Sequence, residues 1–528
     1  MKPDPSYYLD PFGCVKNQVD AENMMACLNN AGWKCASAAE DADLIIVNSC
    51  GFIESAKRES INAVIEWRRL YPGKKILLSG CLSQRYAKEL PGELTEADAF
   101  MGVENPAKIL DAISQIKLFG KTHRKDAEKD ILTGERPLLS LPGSAYVKIS
   151  DGCGNNCSYC AIPLIRGELR CRDIPDIVEE CRALLARGIR ELCIIGQDIG
   201  AYSPKEFSRR QGDTKKKIKK SEGLPELLNA ISALKGSFWV RLLYIHPDHF
   251  PLEILDLMER DSRFLPYFDI PFQHASDKIL AAMNRNKKNE PEENRAKASR
   301  SSETRKRIKK EEKGNCSAGK YLKLIKTIRA RLPRAVIRST FLLGFPGETE
   351  EDFAALLDFQ KKAKLDWAGC FAYSREEGTA AYSMKGRVPA KTAKARKLLI
   401  EERQILITEK NMERFVGQSL DVLIEEKIAA APPAASTGAD EFSCEISNES
   451  GGETFWLGRL YCQAPDIDGA AVIARETSLQ KARETPLQKA RQKQAASSHS
   501  EDNLRLGAVV PCRVIARRGF DLEVRVNC

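Results

Sequence analysis

The 528 residues carry 83 lysines and arginines against 73 acids, a formal net charge of +10, with 43% hydrophobic residues and 17 cysteines. That length allows several domains and the apolar content suffices for buried cores, while no stretch approaches a membrane span. Acids, prolines and no apolar signal core at the start of the chain predict a cytoplasmic protein, where so many cysteines argue for metal or cluster ligation and against a disulfide framework.

The elements open with a domain expected over residues 5–118. Leu44–Ile45–Ile46–Val47 and Lys75–Ile76–Leu77–Leu78 are short apolar runs of buried-strand type, and Glu54 to Leu70 is a helical pattern. Alternating strands and helices predict an open parallel sheet with right-handed crossovers. Cys14, Cys50 and Cys81 each directly follow one of its strands, with a glycine beside each. Ligands of open parallel sheets bind at the carboxyl ends of the strands, so these three thiols are expected to converge. The alternative is three small buried hydrophobes, a common fate of free cysteine. Cys27 and Cys35 fall on a helical stretch and near its end and read as packing residues. Asn17 either orders the Cys14 loop by hydrogen bonds or caps a helix.

A charged linker, roughly Lys121 to Arg136, leads to a second domain expected over 139–384. Strand-like runs recur at Ala145–Ile149, Leu192–Ile195, Phe238–Tyr244, Tyr267–Ile270, Ala335–Leu343 and Trp367–Ala372, separated by helical stretches such as Ile174–Arg187 and Glu351–Ala363. This is the repeat of a partial (β/α) barrel. Two net-basic polar segments, about 204–222 and 285–319, interrupt it. They account for the positive excess and read as solvated insertions, which weakens any inference from net charge to nucleic acid.

After the first of these strands comes Cys153-Gly154-Asn155-Asn156-Cys157-Ser158-Tyr159-Cys160, a C-x3-C-x2-C triplet. Three thiolates on one loop suit three corners of a cubic iron–sulfur cluster, leaving the fourth iron open. A structural zinc knuckle is the alternative, though it wants a fourth Cys or His that the loop lacks. Farther along, Gly196-Gln197-Asp198 and Gly344-Phe345-Pro346-Gly347-Glu348 follow strands, and Gln273 and His274 end another. Such glycines also serve simply as turns, and a lone histidine is more often structural.

A third domain is expected over 416–527, with strands at Leu420–Ile424, Val509–Val514 and Phe520–Val526, a small β-barrel. An insertion at about 474–504 interrupts it with the duplication ARETSLQKA, ARETPLQKA. Between Gly417 and Ile473 ten acids face only Lys427 and Arg459. An acidic barrel repels RNA and suits a basic protein partner.

The cysteine triplet, with Tyr159 before its last member, matches the signature of radical S-adenosylmethionine enzymes. With Gly13-Cys14-Val15-Lys16-Asn17-Gln18-Val19-Asp20, Asn48-Ser49-Cys50-Gly51-Phe52-Ile53 and Gly80-Cys81-Leu82, the chain resembles the radical methylthiotransferases over nearly its whole length. Further stretches carry the resemblance to the branch of that family acting on an aspartate of ribosomal protein S-twelve. They include Ile162-Pro163-Leu164-Ile165-Arg166-Gly167, Arg241-Leu242-Leu243-Tyr244-Ile245-His246-Pro247 and Asp269-Ile270-Pro271-Phe272-Gln273-His274-Ala275-Ser276. The branch acting on a modified adenosine of transfer RNA is the nearest alternative, and a non-catalytic metal-bearing assembly scaffold a more distant one.

The resemblance implies two [4Fe–4S] clusters. One sits on Cys153, Cys157 and Cys160, and an auxiliary one on Cys14, Cys50 and Cys81. It implies S-adenosylmethionine near Gly196, Gln197, Asp198, Gly344 and Gln273, and a C-terminal TRAM barrel. It further implies an electron donor of flavodoxin or ferredoxin type. An aspartate β-carbon has neither an acidic proton nor a leaving group. Sulfur insertion there is therefore expected to proceed by a 5′-deoxyadenosyl radical that removes hydrogen, with the methylthio group supplied at the auxiliary cluster.

Overall fold

The computed structural model describes residues 4–103, 105–116, 135–204, 223–285, 316–429, 454–473 and 504–527. The stretches 205–222, 286–315 and 474–503, which hold most of the two basic insertions and the ARET duplication, lie outside the described residues. The chain forms two compact units. The first takes Met1–Leu139, Ala145–Arg187 and Leu192–Gln404; the second takes Ser140–Ser144, Gly188–Glu191 and Ile405–Cys528.

The first unit opens with five parallel strands, β1 (Ser6–Pro11), β2 (Lys34–Cys35), β3 (Leu44–Ser49), β4 (Lys75–Gly80) and β5 (Ala99–Met101), in the order β2-β1-β3-β4-β5. Every residue of β3 is buried. Leu44 and Ile46 join the core on one face, with Leu9, Met24, Leu28 and Ile109. Ile45 and Val47 join the core on the other, with Val64, Ile76 and Leu78. A strand buried on both faces reads as a continuous apolar run, because side chains alternate between two helical layers. Those layers are built from helices α1 (Val15–Asn30), α2 (Glu54–Leu70), α3 (Cys81–Arg85), α4 (Leu90–Glu93) and α5 (Lys108–Gln115). Cys27 is fully buried as expected, but Cys35 is exposed. It lies on a two-residue edge strand, both of whose residues are exposed.

The same unit carries the second sheet: β6 (Ser144–Lys148), β9 (Glu191–Ile195), β10 (Trp239–Leu242), β11 (Phe264–Asp269), β12 (Val336–Leu343) and β13 (Trp367–Ala372), in the order β13-β12-β11-β10-β9-β6. β10 through β13 pair in parallel. A separate antiparallel pair, β7 (Ser150–Asp151) and β8 (Arg170–Cys171), brackets the cysteine triplet and the short helix α6 (Ile162–Arg166). Helix α7 (Ile174–Ala186) follows. The result is an open six-stranded (β/α) sheet, a partial barrel.

The second unit contains a closed barrel of β14 (Ser419–Ala429), β15 (Thr454–Arg459), β16 (Ala471–Ile473), β17 (Val509–Arg518) and β18 (Asp521–Val526). Two of these, β15 and β16, gave no clear strand signal in the sequence. Glu425 and Arg459, counted above as surface charge, are instead buried. Arg459 donates to both Glu425 oxygens and to Glu191, with Ser144 Oγ and the Gln463 carbonyl as further acceptors. One guanidinium between two carboxylates explains the burial: each charge has a partner and most N–H groups an acceptor.

Candidate functional site

β1, β3 and β4 are neighbours in one parallel sheet, so the loops leaving their carboxyl ends meet. These loops hold Cys14, Cys50 and Cys81. The glycines beside them are needed for the approach. A Cβ on Gly51 would sit 2.7 Å from the Cys81 carbonyl oxygen, and one on Gly80 (φ +99°) 2.6 Å from that of Ser49. Asn17, almost fully buried, does order the loops: its amide donates to Phe12 O (3.0 Å) and Ser49 O (2.9 Å). Asn48 returns a bond to Asn17 O. Burial pushes the Cys50 thiol up and the Cys81 thiol to about 12, and in each the nearby Cys14 adds to the rise.

The second set lies on the loop after β7. Gly152 (φ +71°) turns the chain against Glu168, whose carbonyl oxygen leaves no room for a side chain there. Cys153 N donates to Gly167 O and Cys160 N to Cys157 O. The loop is tied down from outside by Ser158 to Ala282 O and Met283 O, and by Asn284 to Asn156 O. Arg285, buried, donates to Tyr159 Oη (3.1 Å) and Pro271 O (2.6 Å), with its Nη1 4.0 Å from Cys157 Sγ. Burial raises the Cys153 thiol to about 11 and the Cys160 thiol to about 12, and Cys157 pushes both further.

Among the described residues no three His, Cys, Asp or Glu side chains share the position of a single ion. The donor chemistry of both sets suits an iron–sulfur cube. Each brings three thiols and no histidine, the thiols feel one another's charge, and a buried arginine stands ready to offset anionic sulfur. Metal binding would have to displace protons from thiols held up by burial.

Arg166 joins the two sets. It ends α6, six residues past Cys160, and is 2% exposed. Its guanidinium donates to Asp20 Oδ2 (2.8 Å), to both Asp151 oxygens (3.1 and 3.2 Å) and to Asn17 Oδ1 (3.3 Å), and stands 3.4 Å from Cys81 Sγ. Lys148 pairs with the same two aspartates. Beside it Cys81, Ala161 and Ile165 form a small apolar core with Val103. The helix that leaves one cysteine set is thus packed onto the other.

Comparison with known proteins follows this division. The profile of the Uncharacterized protein family UPF0004 matches residues 6–102 and that of the Radical SAM superfamily residues 147–359. The ribosomal protein uS12 methylthiotransferase RimO of Treponema denticola is 41% identical, across 98% of this chain and 99% of that one. The chain belongs to the RimO family. The RimO of Syntrophomonas wolfei is 36% identical over 89% of this chain and 94% of its own. Among solved structures, the radical S-adenosylmethionine methyltransferase TsrM of Kitasatospora setae matches loosely, with a TM-score of 0.45 at 14% identity over 72% of this chain and 75% of that one. This RimO-family chain is therefore a radical S-adenosylmethionine methylthiotransferase, and its family implies S-adenosylmethionine and a [4Fe–4S] cluster.

The remaining expected cofactor residues of this RimO-family protein lie past the ends of β9, β11 and β12. Asp198, buried, has both oxygens engaged by the protein. Oδ1 accepts from Gly200 N (3.1 Å) and His246 N (3.0 Å); Oδ2 meets Asn155 Nδ2 (2.9 Å) and His249 Nδ1 (2.6 Å). Against the effect of burial, His249 and Asn155 hold its carboxyl below the ordinary range, and the same bond raises His249. Through its contact with Asn155, Asp198 fixes that side chain and with it the cysteine loop. Gly196 ends β9, where a Cβ would strike Ser150 Oγ at 2.7 Å. Gln197 beside it is half-buried. At Gly344 (φ +73°) a Cβ would lie 2.4 Å from that of Ala393, and the Gly344 N–H donates to Glu348 Oε2 (2.7 Å). Gln273, half-buried at φ +65°, bridges to Phe341 past the end of β11. Tyr244, past the end of β10, is also left-handed at φ +69°. Such backbone strain in non-glycine residues gathers at functional sites. Arg166, Asp20 and Lys16 lie within the motifs, but little in the sequence around them marks a role. A single base closing the apolar run Ile162–Ile165 was the available signal for Arg166.

His274 is structural. It is fully buried, its Nδ1 accepts from Ser276 N (3.0 Å), and its Nε2 has no hydrogen-bond partner among the described residues. Burial pushes it down to about 4. The unfolded chain takes up this proton near pH 6.5 and the folded one only near 4, so the stability from neutral His274 is whole above 6.5 and is lost as pH falls toward 4. The loss amounts to ~3 kcal/mol. H274N should remove that part of the acid lability, read as the urea midpoint of variant and wild type between pH 7 and 4.5.

Proposed function

We propose that this protein replaces a hydrogen on the β-carbon of an aspartate of ribosomal protein uS12 with a methylthio group. Support comes from full-length relatives named as uS12 methylthiotransferases, together with two cysteine triplets linked through Arg166. In this reading Cys153, Cys157 and Cys160 hold the [4Fe–4S] cluster whose open iron receives S-adenosylmethionine, and Cys14, Cys50 and Cys81 hold a second. When bound, the first cluster supplies the electron that splits S-adenosylmethionine and starts radical chemistry at an unactivated C–H bond. The chain's own part is orientation and exclusion of water. Asp198 and Arg285 fix the loop that carries the first triplet, Asn17 and Gly51 set the second, and Arg166 with Asp20 and Asp151 holds the two in register.

The work divides along the chain as 5–118 for the auxiliary cluster, 139–384 for radical generation and 416–527 for a TRAM barrel that grips the substrate. Gly196, Gln197, Asp198, Gly344 and Gln273 line the approach of S-adenosylmethionine in this reading, at the carboxyl ends of their strands. The electron comes from a flavodoxin- or ferredoxin-type donor in the cytoplasm. No helix among the described residues is long and apolar enough to cross a membrane. The test is anaerobic assay of cluster-reconstituted protein with uS12 and with transfer RNA. Methylthiolated uS12 is expected, and methylthiolated nucleoside beside unmodified uS12 would overturn the reading.

A further inference from the structure

Lys16 is the second residue of α1, two positions past Cys14. It is 6% exposed, and its ammonium stands 3.1 Å from the centre of the Tyr244 ring. Tyr244 is the left-handed residue past β10, pinned by the bond from Ile199 N to its carbonyl (3.0 Å). Three other cations of this region each have an acid. Arg166 and Lys148 share Asp20 and Asp151, and Arg338 on β12 pairs with Asp269 at the end of β11 (3.3 Å). Among the described residues no carboxylate oxygen lies within 4 Å of the Lys16 ammonium; Asp269, already paired with Arg338, and the Cys14 thiol act on it without an ion pair. The first turn of α1 holds no acidic residue either, so the positive end of the helix adds to the unmatched charge. A buried cation without an anion is costly and persists where a ligand supplies the anion.

We propose that Lys16, backed by the Tyr244 ring, binds the side-chain carboxylate of the substrate aspartate. The inference rests on the function proposed above. The reaction brings two carboxylates to this region, that of the aspartate and that of the methionine part of the cofactor. In the proposed function the second would be held at the cluster on Cys153, Cys157 and Cys160, which leaves Lys16 for the first. The target β-carbon is one bond from the carboxyl carbon. Lys16 shares the first turn of α1 with its N-cap, Cys14, so gripping the carboxylate brings that carbon to the auxiliary cysteines. Only an acidic side chain of this length satisfies both demands, which makes Lys16 a specificity determinant for aspartate.

Equilibrium binding of uS12 to unreduced holoenzyme tests this, with uS12 carrying either aspartate or asparagine at the target. K16M keeps the aliphatic stem on Tyr244 and removes the charge; K16R keeps the charge. A lost charge-assisted hydrogen bond should weaken binding of aspartate-uS12 by about 30-fold in K16M. Asparagine-uS12 should bind wild type and K16M equally, K16R should recover part of the loss, and iron content should match wild type. Equal affinity of K16M and wild type for aspartate-uS12 would overturn the inference. So would a loss confined to S-adenosylmethionine binding, or iron missing from K16M, which would make Lys16 part of the cluster architecture. Failure of the wild type to modify uS12 is a different result: it removes the proposed function and this inference with it.

Discussion

Alanine at Cys14, Cys50 and Cys81 together is expected to leave reductive cleavage of S-adenosylmethionine running while methylthio insertion falls to background. The expectation follows from where the thiols sit. All three leave the carboxyl ends of β1, β3 and β4 in one sheet, whereas the C-x3-C-x2-C loop is anchored on the other sheet's side by Asn155, Ser158 and Arg285. None of those anchors touches the auxiliary loops, so the radical-generating loop keeps its shape. The reverse substitution, alanine at Cys153, Cys157 and Cys160, should stop both activities, because no electron reaches the sulfonium. Quantifying 5′-deoxyadenosine and methylthiolated uS12 in the same reaction separates the two. Loss of 5′-deoxyadenosine from the first variant would mean that the triplets do not divide the labour.

Arg166→Met should be the most destabilising single change near the site. It strips the partner from Asp20 and Asp151 in a place where Arg166 is 2% exposed and both aspartates are largely covered. Breaking a buried ion pair from one side typically costs ~3–5 kcal/mol, more than the pair contributes in total, because the remaining charges lose their compensation. Lys148 reaches the same two carboxylates and keeps the loss below that of a lone pair. The helix carrying Arg166 packs Ile165 and Ala161 on Cys81, so both activities should fall together, unlike the auxiliary triple variant. R166K should rescue only in part, since an ammonium has no planar fork to reach both aspartates, Asn17 and Cys81 at once. Urea denaturation of R166M and R166K, with iron content alongside, measures the effect. A wild-type midpoint in R166M would contradict it.

The strand at Leu44–Ser49 was legible because a parallel strand buried on both faces leaves an unbroken apolar run, and Trp367–Ala372, an edge strand with Phe371 exposed, was legible by its apolar and aromatic residues. β15 and β16 were not, because a short barrel strand with one wet face, flanked by polar insertion, gives too few alternations to stand out. The C-x3-C-x2-C triplet stood out by its spacing on one loop, and Cys14, Cys50 and Cys81 by their places just after three strands. The residues that hold their loops did not. The oxygens of Asp198 meet Asn155, His246, Gly200 and His249, partners that only the fold assembles. Glu425 misled for the same reason, as nothing in the sequence near it announces Arg459 or Glu191. Buried charge networks are long-range facts: the Arg459–Glu191 pair spans 268 positions.

The account depends on a cluster iron left free by Cys153, Cys157 and Cys160. The direct measurement is electron paramagnetic resonance of the reduced cluster in the variant lacking Cys14, Cys50 and Cys81, with and without S-adenosylmethionine. The account predicts one [4Fe–4S]⁺ signal that changes shape when the nucleoside is added. A signal indifferent to it, or protein that binds zinc and no iron, would contradict the account.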